Sequence, residues 1–375
     1  MSFSSTRVVA SATLIAGLVA AATGLGASGV GASGDDVVTG PGVSDTEIHI
    51  GVFNDFSGPI ATIGTPAAIG SEIYFDAINA TGGICGRQVV VERVDTKYDT
   101  QVAVQEYRGV KDDIAFITQL LGTGAVFALA NDVARDEITT LAGTLSATAI
   151  PLPFIYVYQT PFPLEAVNGM VWAAEEYGSA DAPAKVGVIY QGDAYGEEGL
   201  HAVEFTAETA NIEIVATASY SPADEDFTAQ VQAMIDGGAE VVWLHDTPRQ
   251  TGGILGVAAQ LGYEPLFMSN SSGYGSALAP ALGALLENFR VVNSNSSILE
   301  TDQPEIAAMI AAHAEYASDV PLDNWMVTGW ISGKVTHAAL DRACELGDLS
   351  RAGIAAAMVG LEVDLNGVAP SIAFG

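Results

Sequence analysis

The feature that most constrains the fold is a regular alternation of strand and helix patterns, which starts at Glu47. Short apolar runs, such as residues 48–53, are each followed by a longer segment with apolar residues at helical spacing. This alternation predicts a mostly parallel sheet covered by helices on both faces. It pauses in the Pro-rich segment 150–163 and restarts at Lys185, so we expect two α/β lobes.

The boundaries of the predicted elements follow from the apolar periodicity. We predict strands at 48–53, 88–95, 114–122, 138–143, 185–192, 212–220, 240–246, 266–270 and 289–295. We predict helices at 66–80, 100–112, 125–137, 197–210, 227–238, 252–262, 304–317, 324–347 and 350–360. Thr65 would be the N-cap of the first helix, with Pro66 at its first position. The chain stops at Gly375 with no closing element, so we expect that the natural protein continues or is truncated there.

The charge balance is strongly acidic, with 13 Lys+Arg against 45 Asp+Glu and a formal net charge of -32. Such a surface repels phosphate backbones and anionic lipids, so nucleic acid and electrostatic membrane docking are not expected. The simplest explanation for the acidity is the solubility of an exported or salt-exposed protein.

The N-terminus has the pattern of a targeting segment. An apolar stretch at 8–27 follows Arg7 and ends in small residues, which predicts a secretory signal peptide over residues 1–32. The alternative is an uncleaved membrane anchor, because the stretch is almost long enough to span a bilayer. No cysteine lies near this boundary, so no covalent lipid anchor is expected. The mature protein is expected to be secreted, in the periplasm or at the cell surface.

The chain has two cysteines, Cys85 and Cys344. An even number in an exported protein favours one disulfide, and two separate buried thiols are the alternative.

The sequence offers little support for catalysis. None of the five histidines stands at metal-ligand spacing, and no nucleophile elbow, phosphate loop or Cys–His signature is present. We therefore predict no catalytic residues, no metal and no cofactor. His245 is the one histidine at the carboxyl end of a predicted strand, where ligands gather in open α/β sheets, although a packing role is the simpler interpretation.

The predicted strand ends favour a binding site instead, because they are consistently small and polar. Gly122, Thr123 and Gly124 stand where a strand passes into a helix, and such N-terminal N–H groups receive small anions. A helix N-cap without a ligand is the alternative for any one loop. The other polar strand ends are at Thr144, Ser146, Tyr195, Asp246 and Asn270, and Ser57 follows the first strand.

Several short motifs occur in an order that identifies a resemblance. They are Ser-Gly-Pro at 57–59, Ile-Asn-Ala at 78–80, Gly-Gly at 82–83, Gly-Arg at 86–87, Asp95, the Asp-x-x-Tyr-Gly type turn in 192–199, and the segment 219–244. Their order resembles the leucine/isoleucine/valine-binding family of type I periplasmic binding proteins, the solute receptors of ABC importers. The resemblance covers nearly all of 47–360.

The resemblance implies two Rossmann-like lobes with parallel sheets, joined by a three-strand hinge, with the ligand in the cleft. Lobe 1 would be 47–160 plus 291–362, and lobe 2 would be 163–288 plus 363–375. The crossings would lie near 159–163, 288–293 and 361–368. Cys85 and Cys344 then fall in one lobe, which favours the disulfide.

The resemblance also implies which residues bind. In amino-acid-binding members, loops matching 122–124 and 144–146 hold the ligand's carboxylate and ammonium, and a tyrosine matching Tyr195 closes from the other lobe. The implied ligand-binding set is Ser57, Gly122, Thr123, Gly124, Thr144, Ser146, Tyr195, Asp246 and Asn270. Two departures are informative: Ser269-Asn270-Ser271 replaces a common acidic position, and Ile63 replaces a common aromatic. Asp246 could supply the missing charge; otherwise the ligand is neutral or an acid rather than an α-amino acid.

These observations predict an extracytoplasmic substrate-binding protein of an ABC importer, a monomer that binds a small polar solute such as an amino acid, an amide or a small organic acid. Its partners would be that solute and the transporter permease. The alternative is a sensor or regulator of the same fold that signals to a partner protein. A permease encoded next to this chain would favour the first hypothesis, and a kinase or antiterminator the second.

Overall fold

A computed structural model of the chain describes residues 37–276 and 278–375. The predicted signal peptide, 1–32, lies outside the described residues. Within the described ranges, no helix is both long enough and apolar enough to cross a membrane.

The described residues contain all nine predicted strands, together with five two-residue strands that were not predicted. In chain order they are β1 (Val38–Thr39), β2 (Glu47–Asn54), β3 (Gln88–Asp95), β4 (Phe116–Leu121), β5 (Thr140–Gly143), β6 (Ile155–Tyr156), β7 (Ala184–Gln191), β8 (Ile212–Tyr220), β9 (Val241–His245), β10 (Leu266–Ser269), β11 (Phe289–Val291), β12 (Asp348–Leu349), β13 (Glu362–Val363) and β14 (Ile372–Ala373).

The helices connect these strands. They are α1 (Ala61–Ala80), α2 (Thr100–Val110), α3 (Thr123–Asp136), α4 (Phe162–Tyr177), α5 (Ala194–Ala207), α6 (Thr228–Gly237), α7 (Pro248–Gln260), α8 (Leu278–Leu282), α9 (Pro304–Tyr316), α10 (Trp325–Glu345) and α11 (Arg351–Met358). Short 3-10 turns lie at Ala147–Ala149, Ser271–Gly273 and Gly283–Leu286.

Two five-stranded sheets organise the chain. Sheet 1 has the order β3-β2-β4-β5-β6, and sheet 2 has the order β8-β7-β9-β10-β11. All paired neighbours within these two sheets are parallel. The central strands are almost continuously buried, as expected for parallel strands with helices on both faces. The predicted α/β class with two parallel sheets is confirmed.

Each sheet has an apolar core on both of its faces. Sheet 1 packs against α1, α9, α10 and α11 on one face and against α2 and α3 on the other. Sheet 2 packs against α4 and α5 on one face and against α6 and α7 on the other. We refer to the part built on sheet 1 as lobe 1 and to the part built on sheet 2 as lobe 2.

The chain passes between the lobes in the segments 157–161 and 292–303, which follow the last strands of sheets 1 and 2. The tail differs from the expected assignment of 363–375 to lobe 2. Val363, Val368 and Phe374 are buried in the core of lobe 1, because the antiparallel pair β13–β14 folds the tail back onto that core. The segment 361–368, where a third crossing was expected, therefore lies against lobe 1. The other lobe boundaries stay predictions.

Several helices differ from the sequence-based expectation. Helix α8 was not predicted, and α5 and α7 begin three and four residues earlier than expected. The first helix begins at Ala61, so Thr65 is not its N-cap and Pro66 lies inside it. The extra turn forms because Ile60 accepts backbone hydrogen bonds from Ile63 and Gly64, and burial of Ile60 and Ile63 stabilises it. Helix α4 was not predicted, although Pro163 in its first turn is a usual start signal.

A disulfide joins Cys85 to Cys344, with 5.9 Å between their Cα atoms. Cys85 lies in the turn between α1 and β3, and Cys344 lies in the last turn of α10. The bond therefore links the turn after α1 to α10 within lobe 1, across 259 residues of sequence.

Candidate functional site

A cavity of about 410 Å³ lies between the carboxyl ends of the strands of the two lobes. Its volume is within the roughly 300–1,000 Å³ that is typical of small-molecule sites. Lobe 1 contributes residues that include Asn54, Ile63, Gln119, Gly122, Thr123, Thr144 and Trp325. Lobe 2 contributes residues that include Tyr195, Thr247, Ser271, Ser272 and Phe289, and the connecting segments add Gln159, Asn293 and Asn295.

The loop after β2 is organised by its own side chains. The buried carboxylate of Asp55 accepts hydrogen bonds from the backbone N–H groups of Ser57 (3.2 Å) and Ile60 (2.8 Å). Ser57 Oγ donates to Asp95 Oδ2 at 2.6 Å. Ser57 thus contributes to the structure of the loop and is not among the residues that line the cavity, whereas Ile63 is.

The start of α3 forms part of the cavity wall. Gly122 has a φ of 101°, and a Cβ atom there would lie 3.0 Å from the ring of Tyr98, so the position favours glycine. The hydroxyl groups of Thr123 and Thr144 share a hydrogen bond of 2.7 Å, which brings the ends of β4 and β5 together. Both hydroxyl groups belong to residues that line the cavity.

Two other predicted residues of these loops lie elsewhere. Gly124 lines a second cavity together with Tyr98, Asp193 and Arg249. Ser146 is fully buried, and its hydroxyl shares a hydrogen bond with Thr148 at 2.8 Å. Ser146 therefore supports the turn after β5.

Tyr195 lines the cavity from lobe 2, as part of the first turn of α5. Asp193 caps this helix by accepting hydrogen bonds from the N–H groups of Tyr195 and Gly196. The hydroxyl of Tyr195 donates to the carbonyl of Asp246 at 2.8 Å and accepts from Asn270 Nδ2 at 2.9 Å. Asn270 thus orients Tyr195 from behind and is not among the cavity-lining residues.

His245 and Asp246 are buried behind the wall of the cavity. Burial lowers the pKa of His245 to about 3, so its ring is neutral. A Cβ atom on Gly199 would lie 2.1 Å from His245 Nδ1, which shows how tightly α5 covers the ring. Burial also raises the pKa of Asp246 well above its ordinary value, and its carboxyl group accepts from Thr251 Oγ1 at 2.9 Å. Asp246 therefore does not present a free negative charge to the cavity.

Of the nine residues predicted to bind ligand, the structure brings four together at the cavity: Gly122, Thr123, Thr144 and Tyr195. Sequence reasoning missed several lining residues, including Tyr98, Gln119, Gln159, Phe162, Asn295 and Trp325. Gln159 and Phe162 lie in the Pro-rich segment that separates the two alternating patterns, so that break in the sequence was a usable signal.

The two lobes make direct polar contacts at the edge of the cavity. Glu198 Oε1 of lobe 2 accepts a hydrogen bond from the backbone N–H of Ala147 in lobe 1 at 2.8 Å. Gln191 Nε2 donates to the hydroxyl of Tyr98 at 3.3 Å. These contacts couple the position of one lobe to the position of the other.

The side chains that line the cavity are neutral. Among the described residues, no Asp, Glu, Lys, Arg or His is part of the lining. The described residues also contain no cluster of three or more His, Cys, Asp or Glu side chains arranged to hold a metal ion. The site is thus built from apolar side chains, hydroxyl groups and amides.

Comparisons with known proteins agree on one family. A family model described as "Periplasmic binding protein" matches residues 47–375. The curated "Leu/Ile/Val-binding protein homolog 7" of Brucella suis biovar 1 (strain 1330) is 25% identical over 326 residues, which cover 82% of this chain and 80% of that protein.

Solved structures with the same fold are numerous. A fatty acid ABC transporter substrate-binding protein from Thermomonospora curvata is similar with a TM-score of 0.86 and 26% identity, over 91% of this chain and 87% of that one. A branched chain amino acid ABC transporter structure from Thermus thermophilus with bound valine has a TM-score of 0.76 and 20% identity, over 87% and 86% of the two chains.

Proposed function

Because this chain belongs to the periplasmic binding protein family, we propose that it is the substrate-binding protein of an ABC importer. It works outside the cytoplasm, after removal of residues 1–32, and delivers a small molecule to a transporter permease. The protein acts as a monomer and needs no metal, cofactor or catalytic residue for this task.

The cavity between the lobes is the observation that carries the proposal. Its lining comes from both lobes and from both connecting segments, so a bound molecule would contact all of these parts at once. A ligand that contacts both lobes stabilises the arrangement in which they are close together, and a permease can recognise that arrangement. Gly122, Thr123, Thr144 and Tyr195 contact the ligand, while Ser57, Gly124, Ser146, Asp246 and Asn270 support these contacts from the surrounding loops.

The proposal is tested by native mass spectrometry of the freshly purified chain, followed by a thermal-shift screen. We expect a non-covalent adduct of small-molecule mass, which denaturing spectra lack. After the protein has been unfolded, freed of ligand and refolded, at least one amino acid, amide or organic acid should raise the melting temperature, because a ligand that binds only the folded state stabilises it. A chain without an adduct that also responds to no compound would contradict the proposed function.

A further inference from the structure

We infer that the cavity takes a mainly apolar molecule with one polar end, a carboxyl or amide group that accepts hydrogen bonds from Gln159 and Trp325, and with no ammonium group. This inference rests on the proposed function and narrows the class of solute that the site accepts. Four observations support it: the neutral lining, the engagement of the nearby carboxylates, the unpaired donors, and the apolar walls.

The neutral lining leaves an ammonium group without a counter-charge. A buried charge is costly unless it is paired and hydrogen-bonded. An α-amino acid would bring one ammonium into a cavity whose described lining contains no carboxylate. Such a zwitterion would bring two charges into a lining in which no described residue has a charged side chain. An acid brings one charge, which the N–H groups of Gln159 and Trp325 can hydrogen-bond, and an amide brings none.

Three buried carboxyl groups behind the cavity wall accept hydrogen bonds from other groups of the protein. Asp55 accepts from three backbone N–H groups of its own loop. Glu165 accepts from the N–H and the hydroxyl of Ser271, both at 3.0 Å. Asp246 accepts from Thr251. Glu165 and Asp246 each keep one oxygen without a partner within the described residues, but burial raises the pKa of both groups, so neither carries the negative charge that would pair with an ammonium.

Two neutral donors and two neutral acceptors of the lining have no partner within the described residues. The acceptors are the side-chain amide oxygens of Asn54 and Asn295, which suit the N–H of an amide and carry no charge to pair with an ammonium. Gln159 Nε2 and Trp325 Nε1 are buried and make no hydrogen bond within the described part of the chain. Both residues line the cavity, Gln159 from the first connecting segment and Trp325 from the first turn of α10. Since buried polar groups are normally hydrogen-bonded, these N–H groups are suited to an acceptor on the bound molecule. A carbonyl or carboxyl oxygen is such an acceptor.

The rest of the cavity provides apolar surface for the body of the molecule. Ile60, Ile63, Leu121, Leu145, Phe162 and Phe289 belong to the lining. Pockets for small molecules usually combine such apolar walls with a few polar groups that fix orientation. The cavity therefore suits a hydrocarbon body, aliphatic or aromatic, that ends in one polar group.

The test compares matched compounds by calorimetric titration of the ligand-free, refolded chain with its disulfide intact, at pH 7.5. The aliphatic branched set is leucine, 4-methylpentanoic acid and 4-methylpentanamide. The aromatic set is phenylalanine, 3-phenylpropanoic acid and 3-phenylpropanamide, and the straight-chain set is 2-aminooctanoic acid, octanoic acid and octanamide. In at least one set we expect the acid or the amide to bind at least tenfold more tightly than the amino acid. The difference in affinity between the acid and the amide then shows which polar group the site prefers.

Variants then test the assigned donors. Trp325→Phe removes the N–H and keeps an aromatic ring, and we expect it to weaken binding of the best acid or amide about threefold to tenfold, as for the loss of one neutral hydrogen bond. Gln159→Leu should weaken binding of the same compound by a similar factor. The matched control is Trp172→Phe, at an exposed position of α4, which should leave affinity unchanged.

The outcomes separate this inference from the proposed function. If an amino acid binds more tightly than its own acid and amide, the inference is wrong and the solute-binding function stands. If Trp325→Phe and Gln159→Leu both bind like the unaltered chain, the assigned donors are wrong. If none of the nine compounds binds, the inference is overturned and the proposed function depends on the adduct found by native mass spectrometry.

Discussion

Glu165 is a single residue that links the fold of lobe 2 to the cavity. It lies in the first turn of α4, is almost completely buried, and holds the cavity-lining residue Ser271 through two hydrogen bonds. Burial raises the pKa of Glu165 to about 8, against the opposing effect of the hydrogen bonds from Ser271. Its second oxygen, Oε1, has no partner within the described residues, which fits a protonated carboxyl group at neutral pH.

This pKa makes the stability of the protein depend on pH. The folded-state pKa of about 8 lies above the ordinary value of 4.5, so between these values the folded state keeps a proton that the unfolded state releases. The contribution of Glu165 to the free energy of unfolding is then fully present below pH 4.5 and is lost as the pH rises towards 8. The variant Glu165→Gln mimics the protonated form. We expect the free energy of unfolding of this variant to fall less between pH 5 and pH 8 than that of the unaltered chain, by on the order of 3 kcal/mol.

Urea unfolding at pH 5, 6, 7 and 8 measures this effect. Glu175→Gln is the matched control, because Glu175 is exposed on the same helix and its replacement should leave the pH dependence unchanged. Asp246 also contributes to the pH dependence, but its contribution is the same in the unaltered chain, in Glu165→Gln and in Glu175→Gln. Equal slopes for Glu165→Gln and the unaltered chain would show that Glu165 is ionised in the folded state.

At this scale, the site could be predicted in part. Thr123, Thr144 and Tyr195 could be predicted from the sequence, because the carboxyl ends of parallel strands meet at one edge of a sheet. Trp325 could not be predicted, because it reaches the cavity through the packing of segments that are distant in sequence, whereas the Pro-rich break gave a signal for Gln159 that the prediction did not use. His245 ends a strand and Asp246 follows it, yet α5 and the loop after β10 cover them, and burial of that kind has no local sequence signal.

Among the elements, α1 and α10 show how lobe 1 is held together. The disulfide connects the turn after α1 to the last turn of α10, and it closes a long segment of chain. A cross-link between distant positions lowers the conformational entropy of the unfolded chain, which favours the folded state.

We therefore expect the double variant Cys85→Ser/Cys344→Ser to lose about 2–5 kcal/mol of the free energy of unfolding. Guanidinium unfolding of the oxidised chain and of the variant measures the difference. Reduction with dithiothreitol provides the control, because it should destabilise the unaltered chain and leave the free energy of unfolding of the variant unchanged. An unchanged midpoint in the variant would mean that the bond does not contribute to stability.

The elements themselves were predicted well where their pattern was regular. Strands β3 and β8 have the expected limits because a run of apolar residues is bounded by polar ones. The start of α1 was predicted too late, because Pro66 marks a possible first turn but burial of Ile60 and Ile63 favours an earlier one. The tail was assigned to lobe 2 because chain order alone does not show that β13 and β14 pair with each other.

At the scale of the whole molecule, function depends on how the lobes are held together around the cavity. Glu198 and Ala147 form one of the direct contacts between them. If a ligand binds only when the lobes are close, any loss of lobe–lobe contacts lowers the fraction of competent molecules and weakens the apparent affinity by that fraction. The hydrogen bond between Glu198 and Ala147 is therefore coupled to ligand binding, although it lies outside the cavity lining.

We expect Glu198→Ala to weaken binding of the tightest compound of the matched sets about fivefold, which corresponds to a loss of about 1 kcal/mol. Calorimetric titration measures the affinity, and small-angle X-ray scattering should show a larger radius of gyration for the variant without added compound, which decreases again when the compound is added. Glu197→Ala is the matched control, because Glu197 is the exposed neighbour of Glu198 in the same helix turn. The same affinity and the same radius of gyration in both variants would mean that the contact between Glu198 and Ala147 has no part in closing the cleft.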